Sequence, residues 1–150
     1  MALVGFVGLA LLVGAADGAL ASGAARAWYL SLARPPGAAP EAAFGPIWAA
    51  LYICCGFGGW LAWRQAGAGR ALRLWGWQLF ATAARAAAFF GLRNPALALG
   101  VGVAILVLLI LVIRRFWAIH RGAAWLMVPS LLWTGYCLYL DAGILVLTPA

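Results

Sequence analysis

The sequence has no lysine, one histidine and only three acidic residues, Asp17, Glu41 and Asp141, in 150 positions. Charged residues make up 9% of the chain, against about a quarter in an average soluble domain. So few charges cannot clothe a water-facing surface around a core of this size, which excludes an ordinary soluble enzyme and a disordered chain. Cysteine is scarce as well. Cys54, Cys55 and Cys137 are odd in number and lie inside apolar runs, so they exclude a secreted disulfide framework and read as small core residues. The sequence carries no paired carboxylates, no Ser-His-Asp set and no cluster of metal-ligand spacing, so it presents no catalytic or metal centre. The lone histidine, His120 beside Arg121, reads as an interfacial side chain, with ligation of a haem iron as its alternative role.

What the chain has in abundance is hydrocarbon: 67% of its residues are hydrophobic and the mean hydropathy is +1.03. Five apolar runs, near residues 2–21, 44–63, 72–92, 95–113 and 123–147, are each about long enough to cross roughly 30 Å of bilayer. They are too continuous for the alternating strands of a barrel. The expected architecture is an all-α membrane protein, one domain over residues 1–150, built as a five-transmembrane-helix bundle with the lipid bilayer as its first partner. Ala19-Leu20-Ala21 has the look of a cleavage site, but the first run lacks a basic start and exceeds a typical signal-peptide core, so an uncleaved helix is expected. The net charge of +7 comes from ten arginines. Most of these fall between the apolar runs, where they read as topology and headgroup signals rather than nucleic-acid contacts. Arg64, Arg70, Arg73, Arg114, Arg115 and Arg121 would share one face and Arg26, Arg34 and Arg93 the other, which predicts a cytoplasmic N-terminus and an outer C-terminus in an inner membrane. The longest connection, residues 22–43, holds Pro35, Pro36, Pro40 and the Trp28-Tyr29 pair, and serves either as a headgroup anchor or as a lid over a cavity.

Residues three and four apart share a helix face. Gln78, Thr82, Arg85 and Phe89 therefore form one stripe, Ser130, Trp133, Cys137 and Asp141 a second, and Gly45, Trp48, Tyr52 and Cys55 a third. Stripes mixing aromatic and polar side chains belong in the bundle interior, where they either line a pocket or pack as tight helix contacts. At about 1.5 Å per residue, Asp17, Arg85 and Asp141 fall within roughly 5 Å of one depth. Arg85 then pairs with Asp141, pairs with Asp17, or snorkels to the headgroups. On the third span Ala83, Ala87 and Gly91, and Ala84 with Ala88, follow the small-xxx-small pattern of close helix approach.

Two ordered motifs, Trp28-Tyr29-x-x-Leu32-x-Arg34-Pro35 and Phe44-Gly45-Pro46-Ile47-Trp48-x-x-Leu51-Tyr52, resemble those of the TspO/MBR family of tryptophan-rich sensory and translocator proteins. The likeness continues through Gln78-Leu79, Phe89-Phe90-Gly91, Pro95-x-x-Ala98-Leu99 and Val128-Pro129-x-x-x-Trp133, and nine tryptophans suit the family's name. The resemblance implies a five-helix bundle with a ligand cavity among its helices. It also implies binding of porphyrin, haem or sterol-like hydrophobic molecules in a sensory, regulatory or transport role, with no obligatory cofactor, and a homodimer through the third span. It makes Tyr29, Trp48, Tyr52, Thr82, Arg85, Phe89, Trp133, Cys137 and Asp141 the candidate ligand-binding residues. Its alternative is light- and oxygen-dependent porphyrin degradation, in which Trp48 and Trp133 would be the reactive side chains. Thr82, Arg85 and Ala86 stand where the family has Asn, Trp and Ser or Thr, and Asp141 stands where it has Asn. The ligand set of this chain is therefore its own question.

Overall fold

The computed structural model describes residues 1–148, with Glu41 described by its backbone alone. Its elements are helices: α1 (Ala2–Leu20), α2 (Ala24–Ser31), α3 (Glu41–Ala66), α4 (Arg70–Ala86), α5 (Pro95–Ile119) and α6 (Arg121–Leu147). A π-helical turn, Ala87–Gly91, extends α4. Four of the helices, α1, α3, α5 and α6, are long and apolar enough to cross a bilayer. The chain is thus an all-helical, multi-pass integral membrane protein. The expected third span corresponds to α4, which has 17 residues before the π turn and includes Arg70, Arg73 and Arg85.

The helices outrun the apolar stretches. Helix α5 continues to Ile119 and α6 begins at Arg121, because arginine and tryptophan sustain a helix while their polar ends reach beyond the hydrocarbon. Only His120, with extended backbone, separates the two helices, and its Nδ1 accepts the Ala123 N–H at 3.2 Å to cap α6. At the opposite end Asn94 caps α5 by accepting the Leu97 N–H at 3.0 Å, with Pro95 in the first turn. The stretch expected as a plain loop, residues 22–43, contains the eight-residue α2, and α3 begins at its position 41.

Helices α5 and α6 form the broadest contact, and α1 lies against α3 and α4. At Gly56 a Cβ would stand 2.6 Å from the Val7 Cα, so the α1–α3 crossing is backbone against backbone and depends on glycine. The packed core occupies the His120 end, where Trp75, Leu109, Val112, Phe116, Ala124 and Met127 are buried and the Trp75 indole donates to the Cys55 carbonyl at 3.0 Å. In α1 only Ala10 is fully buried; Val4, Leu9 and Leu12 are exposed, while other residues of the helix face α3, α4 and the space between them.

Candidate functional site

At the α2 end the helices part around a cavity of about 490 Å³, within the usual size of small-molecule sites. Helix α3 supplies Phe44, Trp48 and Tyr52, spaced by four so that all three face inward. The Trp48 and Tyr52 rings stack with centroids 5.7 Å apart and planes at 28°. The π turn supplies Phe89 and Phe90 together. Both rings lie on the cavity wall. From α2, Tyr29 meets both rings, at 6.0 Å from Phe89 and 6.2 Å from Phe90, while Trp28 sets its edge on Phe89 at 5.5 Å. Burial raises the Tyr29 phenol above its ordinary pKa, with the charge of Arg34 opposing the shift, so the ring stays neutral.

The remaining wall is polar. Arg85 of α4 donates to Asp141 Oδ2 of α6 at 2.6 Å, with the two side chains 14% and 3% exposed. The Tyr52 hydroxyl donates to Asp17 Oδ2 of α1. Gln78 Nε2 donates to Thr82 Oγ1 at 3.2 Å, and Thr82 Oγ1 donates back to the Gln78 carbonyl at 2.8 Å. Among the described residues, the Arg85 Nε, Asp17 Oδ1 and Trp133 Nε1 atoms are buried with no hydrogen-bond partner. Of the readings open for Arg85, pairing with Asp141 is the one the structure holds.

The connection 32–40 is tied across the end of α6. The Tyr136 hydroxyl donates to the Gly37 carbonyl at 2.8 Å and accepts the Ala39 N–H at 2.7 Å, and the Tyr139 hydroxyl donates to the Pro36 carbonyl at 2.6 Å. Pro35 is buried against Gly143, where a Cβ would stand 2.4 Å from its ring. Helix α2 also shapes the site directly, because Arg26 and Tyr29 lie on the cavity wall.

The cavity gathers Tyr29, Trp48, Tyr52, Thr82, Arg85, Phe89, Cys137 and Asp141 from the sequence reading, and leaves Trp133 out. Trp133 packs behind the wall, edge-on to Trp48 at 6.0 Å and to Phe44 at 5.5 Å. Its displacement follows from helix geometry. At about 100° per residue, positions 130, 134, 137 and 141 fall within a narrow arc and position 133 lies roughly 60° from 130 on the far side from 134. Thr134, which the sequence reading passed over, takes the inward place. The contribution of α1 was likewise missed except for Asp17, although Gly14, Asp17, Gly18 and Ala21 show the three- and four-residue spacing of a face and all line the cavity. His120 caps α6 at the other end of the bundle and is not among the cavity residues.

A profile of the TspO/MBR family matches residues 6–147. A tryptophan-rich protein TspO of Chlorobaculum tepidum is 30% identical over 149 residues, covering 95% of this chain and 93% of the relative. The translocator protein of Bos taurus is 32% identical over 138 residues, covering 89% and 82%, and a translocator protein homolog of Schizosaccharomyces pombe is 32% identical over 110 residues, covering 69% and 67%. With the motifs of α2 and α3 in their expected order and a family match spanning nearly every helix, the chain belongs to the TspO/MBR family.

Proposed function

We propose that this protein crosses the membrane five times, counting α4 with its π turn, with the N-terminus cytoplasmic, and binds a flat, largely apolar ligand of the tetrapyrrole or sterol class in the cavity at the α2 end. Family membership supports a membrane ligand-binding or transport role. The observation that carries the ligand class is the stacked Trp48–Tyr52 wall facing Phe89 and Phe90 across a cavity with one polar end. Aromatic faces hold a ring system, and the polar end orients it. Porphyrin or haem is the ligand of choice, and α2 with residues 32–40 acts as the lid.

A second copy of the chain is the proposed protein partner. Ala87 and Gly91 are exposed on α4 beside the strongly exposed Trp77 and Phe80, whereas Ala88 is buried within the bundle, so the Ala83–Ala87–Gly91 face is the one offered to a neighbour. The test of function is titration of the reconstituted protein with protoporphyrin IX, read by quenching of tryptophan fluorescence. Saturable quenching that weakens in Trp48→Ala supports the reading, and no quenching refutes it. Recovery of intact porphyrin after illumination in air separates binding from degradation, the alternative in which Trp48 and the Trp133 behind it would react.

A further inference from the structure

We propose that Ser130 and Thr134 of α6 form a second polar subsite on the cavity wall, one that takes a neutral oxygen function, a hydroxyl or a ketone, on the edge of the ligand turned away from Arg85 and Asp141. This rests on the reading of the cavity as a ring-binding site. Both residues line the cavity, and each is only 9% exposed. Among the described residues neither hydroxyl has a hydrogen-bond partner. Nor are their oxygens sealed inside the protein, as Trp133 Nε1 is, so they stand open to the cavity. A helical hydroxyl with no other partner commonly turns back to the carbonyl four residues earlier. Thr82 on the α4 wall does so, donating to the Gln78 carbonyl at 2.8 Å. Ser130 and Thr134 do not, and each keeps its capacity to donate and to accept for a group within the cavity.

The place of the two hydroxyls sets what they can hold. Ser130, Thr134, Cys137 and Asp141 fall within a narrow arc of α6, so this wall is one row running from the hydroxyls to the ion pair. At about 1.5 Å per residue, Thr134 stands roughly 10 Å and Ser130 roughly 16 Å along the helix from Asp141. A ring laid along the row meets the ion pair at one edge and the hydroxyls at the other. The cations of the wall are Arg85, which bonds Asp141 at 2.6 Å, and Arg26, which belongs to α2. An anion at the hydroxyls would therefore be buried far from either one. An alkyl edge would displace water from both hydroxyls and give them nothing in return. A hydroxyl or ketone meets them without adding charge, because each side-chain hydroxyl can rotate to suit it.

The experiment compares three forms of one ring in the protein reconstituted in nanodiscs: mesoporphyrin IX, haematoporphyrin IX and diacetyldeuteroporphyrin IX. They carry ethyl, 1-hydroxyethyl and acetyl groups respectively on the edge opposite the two propionates, which all three share. Affinities are read by tryptophan quenching, with partition into protein-free nanodiscs subtracted. Each oxygenated ring is expected to bind about fivefold tighter than the ethyl ring, the net worth of one hydrogen bond. Ser130→Ala with Thr134→Val removes both hydroxyls and nearly preserves the shape of the wall. The double variant should hold the ethyl ring as tightly as the parent does, which shows that it is folded, and should lose the preference. Each single variant should reduce it. A parent that binds either oxygenated ring no more tightly than the ethyl ring, or a double variant that keeps the preference, overturns the proposal. Absence of quenching by all three rings would instead remove the binding reading beneath it, and this subsite with it.

Discussion

The two ends of the bundle are built to opposite rules. At the His120 end Leu109, Val112, Phe116, Ala124 and Met127 are fully buried and interlock. At the α2 end the same helices diverge around a cavity, a buried ion pair and unmatched polar atoms. Between helices in lipid the hydrophobic effect adds little, so close packing and satisfied polar contacts hold the bundle together. The packed end supplies them. The open end forgoes them, and groups left unmatched within a folded protein mark where a ligand is recognised rather than where the fold is secured.

The sharpest way to break this contrast is at the packed end. Phe116→Ala should lower stability by about 4 kcal/mol, because the phenyl ring is fully buried and its neighbours cannot close the void. The loss should appear as a lower thermal midpoint in detergent, with porphyrin affinity unchanged below that midpoint. An equal loss of affinity would show that the two ends are not separate.

Next in size is the ion pair that closes the open end. Arg85→Leu and Asp141→Leu should each destabilise by about 3 kcal/mol, since each strands a buried charge, while the double variant should be less destabilised than either. Strict additivity in the double-mutant cycle would mean the 2.6 Å contact couples nothing.

Smaller again is the ring wall. Trp48→Ala should weaken porphyrin binding by about 2 kcal/mol, as removal of a stacking face does, and Trp133→Ala should weaken it less because its ring touches Trp48 rather than the cavity. The comparison is read by porphyrin absorbance, so that removing a tryptophan does not remove the signal. A larger effect at Trp133 than at Trp48 would reverse the assignment of the wall.

The sequence made four of the spans and most of the interior stripes legible, because apolar length and three- and four-residue spacing are direct consequences of helix geometry. Depth was legible for the charges: residues counted from the helix ends put Arg85, Asp141 and Asp17 at one level, but left pairing with Asp141, pairing with Asp17 and snorkelling open, and the structure supplies the choice of Asp141. Helix α2 was not legible, because it is only eight residues long and has no side-chain cap. The π turn was not legible either. Its single extra residue is a choice of hydrogen-bond register that Ala87-Ala88-Phe89-Phe90-Gly91 does not announce, and it carries both Phe89 and Phe90 of the wall. Trp133 was misplaced by taking spacing of three as equal to spacing of four, a difference of about one residue's arc that moves a ring from the wall to the layer behind it.

The subtlest test of the contrast concerns how the open end is closed. Residues 32–40 are held to α6 and its C-cap by few contacts: the Tyr136 hydroxyl on Gly37 and Ala39, the Tyr139 hydroxyl on Pro36, the Ala33 N–H on Thr148 Oγ1 at 3.3 Å, and Pro35 seated on Gly143. Tyr139→Phe removes one hydroxyl and keeps the ring, so it should weaken the attachment by about 1 kcal/mol, the net worth of a single hydrogen bond, with little effect on the thermal midpoint set at the other end. Tyr136→Phe removes a hydroxyl that bonds twice and should loosen the segment more. In each variant the backbone amides of residues 32–40 should exchange with solvent faster while those of α5 near Phe116 do not change, and ligand should enter and leave faster with its equilibrium affinity only slightly altered. Exchange unchanged in this segment when both hydroxyls are removed would show that the Pro35–Gly143 seat, with the Ala33–Thr148 bond, suffices to fasten it, and that the tyrosine hydroxyls do not close the open end.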